Sequence, residues 1–469
     1  MADLVTTFAQ TARRRGDATA LITRQETVGF AELERRADAF AARCAAKGIG
    51  KGDRVILAMP VGIDLFTALA GAWRVGAVVV FPEPAMGLRG FLHAVGVTRP
   101  KALIATGAYR LLRLLPAFWG RACLGPRPGG AGSFAPVTLE AGDPALISFT
   151  SGSTGAPKGI VRSHGFLMAQ NAAVSPLLVS DSDEVDLVAF PVFTLVNLAA
   201  GRASVLPDWR LNRPEEVTPE GLAAWIRETG VTRALLPPVL CERLSAAENR
   251  GALHTVFTGG GPVLPQLVDR LQGLRVVSVY GSTEAEPIAE LDWADADAEA
   301  RAEMLAGGGL LAGQPVPEVQ LRIVDDEVQV AGAHVNDGYL DPAMDAGIKL
   351  REGGIVWHRT GDAGRLDDRG RLWLLGRYGA IATRDGARIY PFAVEVAAMG
   401  LPGVRRAALW QGDGAIRLAI EGAGADMAAC DALADRFGID GVTMVDAIPM
   451  DRRHRSKVDY TALDGLMRG

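Results

Sequence analysis

Ten consecutive residues concentrate groups that bind phosphate: Thr150-Ser151-Gly152-Ser153-Thr154-Gly155-Ala156-Pro157-Lys158-Gly159. Glycines let a backbone turn tightly and approach a ligand closely. Successive backbone N–H groups in such a loop make a concave anion site. The four hydroxyls add donors and Lys158 adds a mobile cation, so a polyphosphate is the guest this stretch suits. A flexible Ser/Gly linker shares the composition. It needs neither the strand-like apolar run at 146–149 nor the Pro-Lys-Gly that follows. A Walker A loop has Gly-Lys-Ser/Thr opening a helix, whereas Lys158 stands between Pro157 and Gly159. An ordinary P-loop kinase or ATPase is excluded.

Five further strings carry chemistry. Thr258-Gly259-Gly260-Gly261-Pro262 follows an apolar run and offers open backbone to a flat ring, although a structural turn has the same composition. Tyr280-Gly281-Ser282-Thr283-Glu284 places an aromatic ring, hydroxyls and a carboxylate just past a strand, where open α/β sheets bind ligands. Arg359-Thr360-Gly361-Asp362 ends on a carboxylate that can accept two hydroxyl hydrogens, and Gly376-Arg377 follows. The last string, 448–459, holds Ser456 and Lys457. Alone it reads as a solvated basic run.

In this order the strings resemble those of the adenylate-forming superfamily: acyl-CoA synthetases, peptide-synthetase adenylation domains and luciferases. The resemblance runs from about residue 6 to the C-terminus. It implies that Thr150, Ser151, Gly152, Ser153, Thr154, Gly155 and Lys158 hold the β- and γ-phosphates of ATP. It implies that Gly259, Gly260 and Gly261 flank adenine. In the segment Tyr280, Gly281 and Ser282, the tyrosine stacks near adenine. It further implies that Thr283 meets the α-phosphate, Glu284 helps hold Mg²⁺, Asp362 binds both ribose hydroxyls, and Arg377 reaches ribose and phosphate. Lys457 stabilises charge as a carboxylate attacks the α-phosphate. The implied enzyme is an AMP-forming ligase that turns a small carboxylic acid into an acyl-adenylate. Two positions depart from the family pattern: Gly379 at the hinge, usually Asp or Lys, and Ser456, usually Gly.

Details favour one branch. Thr194, in Phe190-Pro191-Val192-Phe193-Thr194, replaces the histidine of many acyl-CoA synthetases. Pro82-Glu83-Pro84-Ala85-Met86-Gly87-Leu88-Arg89 and the string 450–457 resemble stretches of the bacterial β-lactone synthetases, as does the segment 190–214. In that branch the 3-hydroxyl of a 3-hydroxy acid captures the adenylate. The alternatives are thioester formation with coenzyme A or a carrier protein, and a degenerate adenylate-binding protein. Val192, Phe193, Val196 and Ala285 are candidates for the acid's pocket, and core packing explains them equally.

The elements that position these strings follow from periodicity. Helical spacing at 30–44, 64–75, 219–228 and 264–271 alternates with buried runs at 55–58, 77–81, 103–105, 185–190, 234–236, 255–257 and 276–280. Such alternation predicts α/β architecture with doubly wound sheets. From 319 onward the pattern turns antiparallel, with hairpins at Asp325-Asp326 and at 367–370. Beyond Arg377 comes a hairpin at Asp385-Gly386, helices at 392–399 and 426–437, and strands at 405–410, 416–420 and 442–446. The expected division is a large N-terminal domain, 1–376, whose β subdomain spans about 307–376. A small mobile α+β domain, 377–469, carries Lys457. Residues 125–136 hold seven Gly or Pro and read as a surface loop.

Bulk properties narrow the function. Net charge is −5 over 469 residues, which leaves no overall basic footprint for nucleic acid. Cys44, Cys123, Cys241 and Cys430 are scattered without CxxC spacing, which argues against a disulfide framework and a zinc site and fits a reducing cytoplasm. No signal-peptide pattern is expected at the N-terminus. The most apolar run, 65–81, is broken by Arg74 and too short to span a bilayer.

Overall fold

The computed structural model describes residues 3–83, 86–126, 133–150, 157–451 and 456–468. Two sheets carry the site. The first has six strands in the order Ala122–Leu124, Ala102–Ala105, Arg54–Ala58, Val78–Phe81, Pro144–Thr150 and Lys158–Ser163. All neighbours are parallel except the last two, which pair antiparallel with Thr150 opposite Lys158. The Ser/Thr/Gly string therefore stands, in sequence, between two antiparallel strands at the edge of this sheet. Residues 151–156 lie outside the described residues, as do 127–132 of the Gly/Pro-rich stretch at 125–136.

The second sheet is parallel from Thr19–Ile22 through Ala203–Val205, Val185–Val188, Arg233–Leu236 and Thr255–Gly259 to Arg275–Ser282. There the chain turns back as Ala285–Asp292, and every later strand in the sheet is antiparallel. The switch thus comes at Thr283-Glu284, earlier than the change at 319 that alternation predicts. Thr283 and Glu284 occupy the turn at this seam, at the C-terminal end of the last parallel strand, where α/β sheets bind ligands.

Helices cover the sheets because their apolar faces match. Phe30–Ala46 buries Phe30, Leu33, Ala37, Phe40 and Cys44 against the helix Ile63–Arg74. Arg74 is fully buried, with Nε 2.8 Å from Asp38 and a second ion pair to Glu34. Pairing of that kind lets a buried guanidinium persist inside a core. Among the described residues no helix is long and apolar enough to cross a membrane.

Beyond residue 381 the side chains build a core of their own. It is centred on Ala382, Val394, Leu409, Leu418 and Leu433. A three-stranded sheet, Arg406–Gly412, Ala415–Glu421 and Gly441–Met444, supports it. Glu395, on the helix Pro391–Met399, is buried there. Its Oε1 accepts the Leu409 N–H at 2.9 Å and the Tyr460 hydroxyl at 2.8 Å. Burial outweighs both bonds and pushes the carboxyl from an ordinary 4.5 up to about 7. The folded state then binds this proton more tightly than the unfolded chain. Its contribution is fully present below pH 4.5 and is lost as pH rises to about 7. The loss amounts to about 3 kcal/mol. Denaturant titrations of Glu395→Gln should show a flatter pH dependence across that window and greater stability than wild type at pH 8.

Candidate active site

Lys158 follows the loop directly, opens the edge strand and is buried. Its ammonium lies 5.3 Å from the centre of the Tyr339 ring, and the Lys349 ammonium lies 5.4 Å from the same ring. The segment carrying Tyr339 runs across the edge strand. Tyr339 bridges Ile160, and the Leu340 N–H donates to the Gly159 carbonyl at 2.8 Å. The Tyr339 hydroxyl donates to Glu284 Oε1 at 3.0 Å.

These contacts clamp the seam turn from both sheets. Arg162 donates to the Thr283 carbonyl at 2.6 Å. The Asn336 N–H donates to the Glu284 carbonyl at 2.7 Å, and Asn336 Nδ2 donates to the Val161 carbonyl at 3.0 Å. Beside them the Ser282 hydroxyl is buried without a hydrogen-bond partner among the described residues. An orphaned donor in a turn that also presents a carboxylate is a place a ligand oxygen would satisfy.

The floor of this region is electropositive. Lys349 is buried and donates to the Asn336 carbonyl. Burial, partly offset by Glu284 and Asp345, pushes its ammonium down to about 8. His358 is buried nearby, and burial together with Lys349 and Lys158 holds its ring well below the usual histidine range, hence neutral.

Asp362 and Arg377 face each other across neighbouring strands, Ile355–Leu366 and Leu372–Arg377. Arg377 Nη1 donates to Asp362 Oδ1 at 2.8 Å, and the Tyr280 hydroxyl donates to Oδ2 at 2.8 Å. The Asp362 N–H in turn donates to the Thr360 hydroxyl at 3.1 Å. Three residues picked from three separate strings thus form one hydrogen-bonded unit. Burial first, then Asp362, raises the Tyr280 phenol well above its ordinary value, so it stays a donor. Asp362→Ala should weaken ATP binding roughly 10- to 150-fold, the value of a hydrogen bond to a charged group. Calorimetry on the folded variant would check it.

Lys457 projects from a loop closed on itself. The Met450–Val458 bridge ties its ends. Asp451 Oδ1 accepts the N–H groups of Ser456 and Lys457, each at 2.9 Å, and the Asp451 N–H donates to the Lys457 carbonyl at 2.8 Å. Residues 452–455 lie outside the described residues. The loop is docked on the glycine string: a Cβ built at Gly261 would fall 2.3 Å from Ser456 Cβ. Gly259 is constrained otherwise, since its Cβ would meet the Val279 carbonyl at 2.4 Å, and Gly260 sits at φ +80°. Gly379 has open space around it.

The model of a family described as AMP-binding enzyme matches residues 8–340. The chain belongs to the AMP-binding enzyme family. An olefin beta-lactone synthetase of Xanthomonas campestris pv. campestris is 32% identical over 433 residues, covering 82% of this chain and 78% of the relative. One from Stenotrophomonas maltophilia is 30% identical over 446 residues, covering 84% and 80%. Among solved structures, ATP-bound MatB from Rhodopseudomonas palustris superposes with TM-score 0.84 at 22% identity, covering 100% of this chain and 99% of that one. As a member of this family the chain is an ATP-using, AMP-forming ligase that activates a carboxylate as its acyl-adenylate.

An apolar cleft adjoins the glycine string of this AMP-binding enzyme. Val174, Leu178, Phe190, Phe193, Leu235 and Phe257 line it, with Gly259 and Gly260 at one end and Glu286 among the walls. Of the four pocket candidates, Phe193 lies here. Val192 and Val196 border a smaller cavity with Leu4 and Leu167. Ala285 is core, packed with Ile288 and Val328. Thr194 is buried on the helix Pro191–Ala200, which starts at Pro191 within the string. The sequence strings did not disclose Arg162, Asn336, Tyr339, Lys349 or His358. Only the turn signal Asn336-Asp337-Gly338 marks that region, and it points to a loop.

Proposed function

We propose that this ligase is a β-lactone synthetase acting on a 3-hydroxy carboxylic acid. What carries the reading is the pair of olefin beta-lactone synthetases that align over more than four-fifths of the chain. The apolar cleft beside the glycine string suits the carbon chain of such an acid. The division into residues 1–376 and 377–469 belongs to this proposal, and the separate core beyond residue 381 supports it.

In the first step a carboxylate oxygen attacks the α-phosphorus of ATP and pyrophosphate leaves. Lys158 and the loop Thr150, Ser151, Gly152, Ser153, Thr154 and Gly155 grip the departing phosphates. Gly259 and Gly260 flank the base with Tyr280, Gly281 and Ser282, and Gly261 seats the Lys457 loop. Asp362 and Arg377 hold the ribose, Thr283 the α-phosphate. Lys457 neutralises charge that builds on the α-phosphate oxygens. Glu284 suits Mg²⁺, a hard ion that takes one or two carboxylates and completes its shell with phosphate and water. That ion would screen the phosphate charge. Among the described residues no cluster of three ligating side chains competes for the assignment.

In the second step the substrate's own hydroxyl oxygen attacks the activated carbonyl. A ring C–O bond forms, the bond to the phosphate oxygen breaks, and AMP leaves. Glu286 lines the cleft and supplies an acceptor for the hydroxyl proton. Ring strain opposes closure, but an attacking group held near the carbonyl acts at very high effective concentration.

Mass spectrometry of products from ATP, Mg²⁺ and a panel of 3-hydroxy acids tests the proposal. The expected result is AMP, pyrophosphate and a product one water lighter than the acid, with no acceleration by coenzyme A. The matching acid without its hydroxyl should stop at a tightly held adenylate. A thioester formed only with coenzyme A or a carrier-protein thiol would overturn the lactone reading.

A further inference from the structure

The six-stranded sheet has two edges. One is the strand Lys158–Ser163, and the other, at Ala122–Leu124, lies roughly 24 Å away across five strand spacings. The helix Gly87–Thr98 packs on one face of this sheet, with His93 6.4 Å from Phe149, and the 3₁₀ turns Gly107–Leu114 and Pro116–Phe118 pack on the same cluster toward the far edge. Phe91 and Phe118 join them, with ring centres 6.0 Å apart. The Trp119 indole donates to the Leu114 carbonyl at 3.0 Å.

Two properties of this edge stand out together. First, of fourteen large apolar side chains exposed among the described residues, seven lie within 88–119, and four of them, Tyr109, Leu111, Leu114 and Trp119, are on or directly after the turns at this edge. The most exposed are Trp119 at 70%, Leu111 at 64% and Leu114 at 63%. No residue of Gly107–Leu114 is buried. Second, between positions 84 and 139 there is no aspartate or glutamate but seven arginines and lysines, in a chain whose net charge is −5. Arg89, Arg99, Arg110 and Arg113 are exposed and form no ion pair among the described residues. Elsewhere most surface arginines in the structure find carboxylates, such as Arg35 with Glu32 and Arg388 with Asp325.

We propose that this edge is a docking surface for an anionic lipid bilayer. Leucines and a tryptophan interleaved with unpaired arginines match the boundary between acyl chains and phosphate headgroups. The apolar groups enter the acyl layer and the guanidinium groups stay at the phosphates. The charge complementarity selects anionic lipid over neutral lipid. A protein partner fits less well, because the buried centre of a protein interface is depleted of charge.

Flotation of the full chain with vesicles tests this. Vesicles of phosphatidylcholine with roughly 30% phosphatidylglycerol are compared with phosphatidylcholine alone, at low and high salt. The protein should float with the anionic vesicles at low salt, and high salt should release it. Arg110→Gln/Arg113→Gln should lower partitioning on the order of thirtyfold, and Leu111→Ser/Leu114→Ser/Trp119→Ser should abolish it. Both variants should keep the wild-type melting temperature and the adenylation rate on a water-soluble acid. Absence of wild-type flotation, or flotation unchanged in both variants, would overturn the proposal. So would a wild-type dimer, seen by light scattering, that the triple variant dissociates, since the edge would then be a protein interface.

Discussion

Replacing Lys457 by alanine should lower the single-turnover rate of acyl-adenylate formation by on the order of 10²–10³, with ATP affinity nearly unchanged. The magnitude is that of removing one preorganised charge aimed at a developing oxyanion. Lys457 is exposed and its loop is held by backbone bonds to Asp451, so truncating its side chain removes no packing. ATP affinity should persist because the proposed grips on phosphate and ribose, Lys158 and the Asp362–Arg377 pair, lie on the two sheets rather than on this loop. Quench-flow detection of the adenylate with radiolabelled ATP separates the two effects. A wild-type rate in the folded variant would remove Lys457 from the reaction. A parallel loss of ATP affinity would instead make it a binding residue.

How much of this arrangement the sequence discloses depends on how local each signal is. Lys158, Glu284, Asp362 and Arg377 sit in contiguous strings whose residue types announce oxygen and phosphate chemistry, so they are legible. The groups that orient them are not, because each acts across a long sequence separation. Arg162 reaches Thr283 over 121 positions and Asn336 reaches Val161 over 175. Tyr339 and Lys349 carry no local signature, and their roles depend on a chain segment crossing between two sheets. Some missed elements were readable. In the helix Leu4–Arg15, capped by Asp3, the buried positions Leu4, Val5, Phe8, Thr11 and Ala12 follow helical spacing. The strand Ala285–Asp292 was harder: Glu286, Glu290 and Asp292 alternate with buried residues, but Pro287 within the run argues against a strand.

Gly261 shows how a motif residue can serve a partner that the motif does not announce. The string Thr258-Gly259-Gly260-Gly261 reads as open backbone for adenine, yet in the structure the space beside Gly261 is taken by Ser456. A Cβ there would meet Ser456 Cβ at 2.3 Å, its carbonyl oxygen at 3.1 Å and its hydroxyl at 3.2 Å. Real Cβ contacts essentially never fall below 3 Å, so Gly261→Ala must push the Lys457 loop away. A displacement near 1 Å at a reacting group costs roughly 100-fold in rate. That loss is expected in adenylate formation, with ATP affinity retained. Ser456→Gly deletes the closest colliding atom and the hydroxyl, leaving only the carbonyl contact. The double variant Gly261→Ala/Ser456→Gly should therefore recover most of the lost rate, while Ser456→Gly alone stays near wild type. The cycle isolates the pair, because two residues that meet only through this contact are coupled only through it. If Gly261 instead serves the adenine ring, the alanine variant will weaken ATP binding and the second substitution will restore nothing.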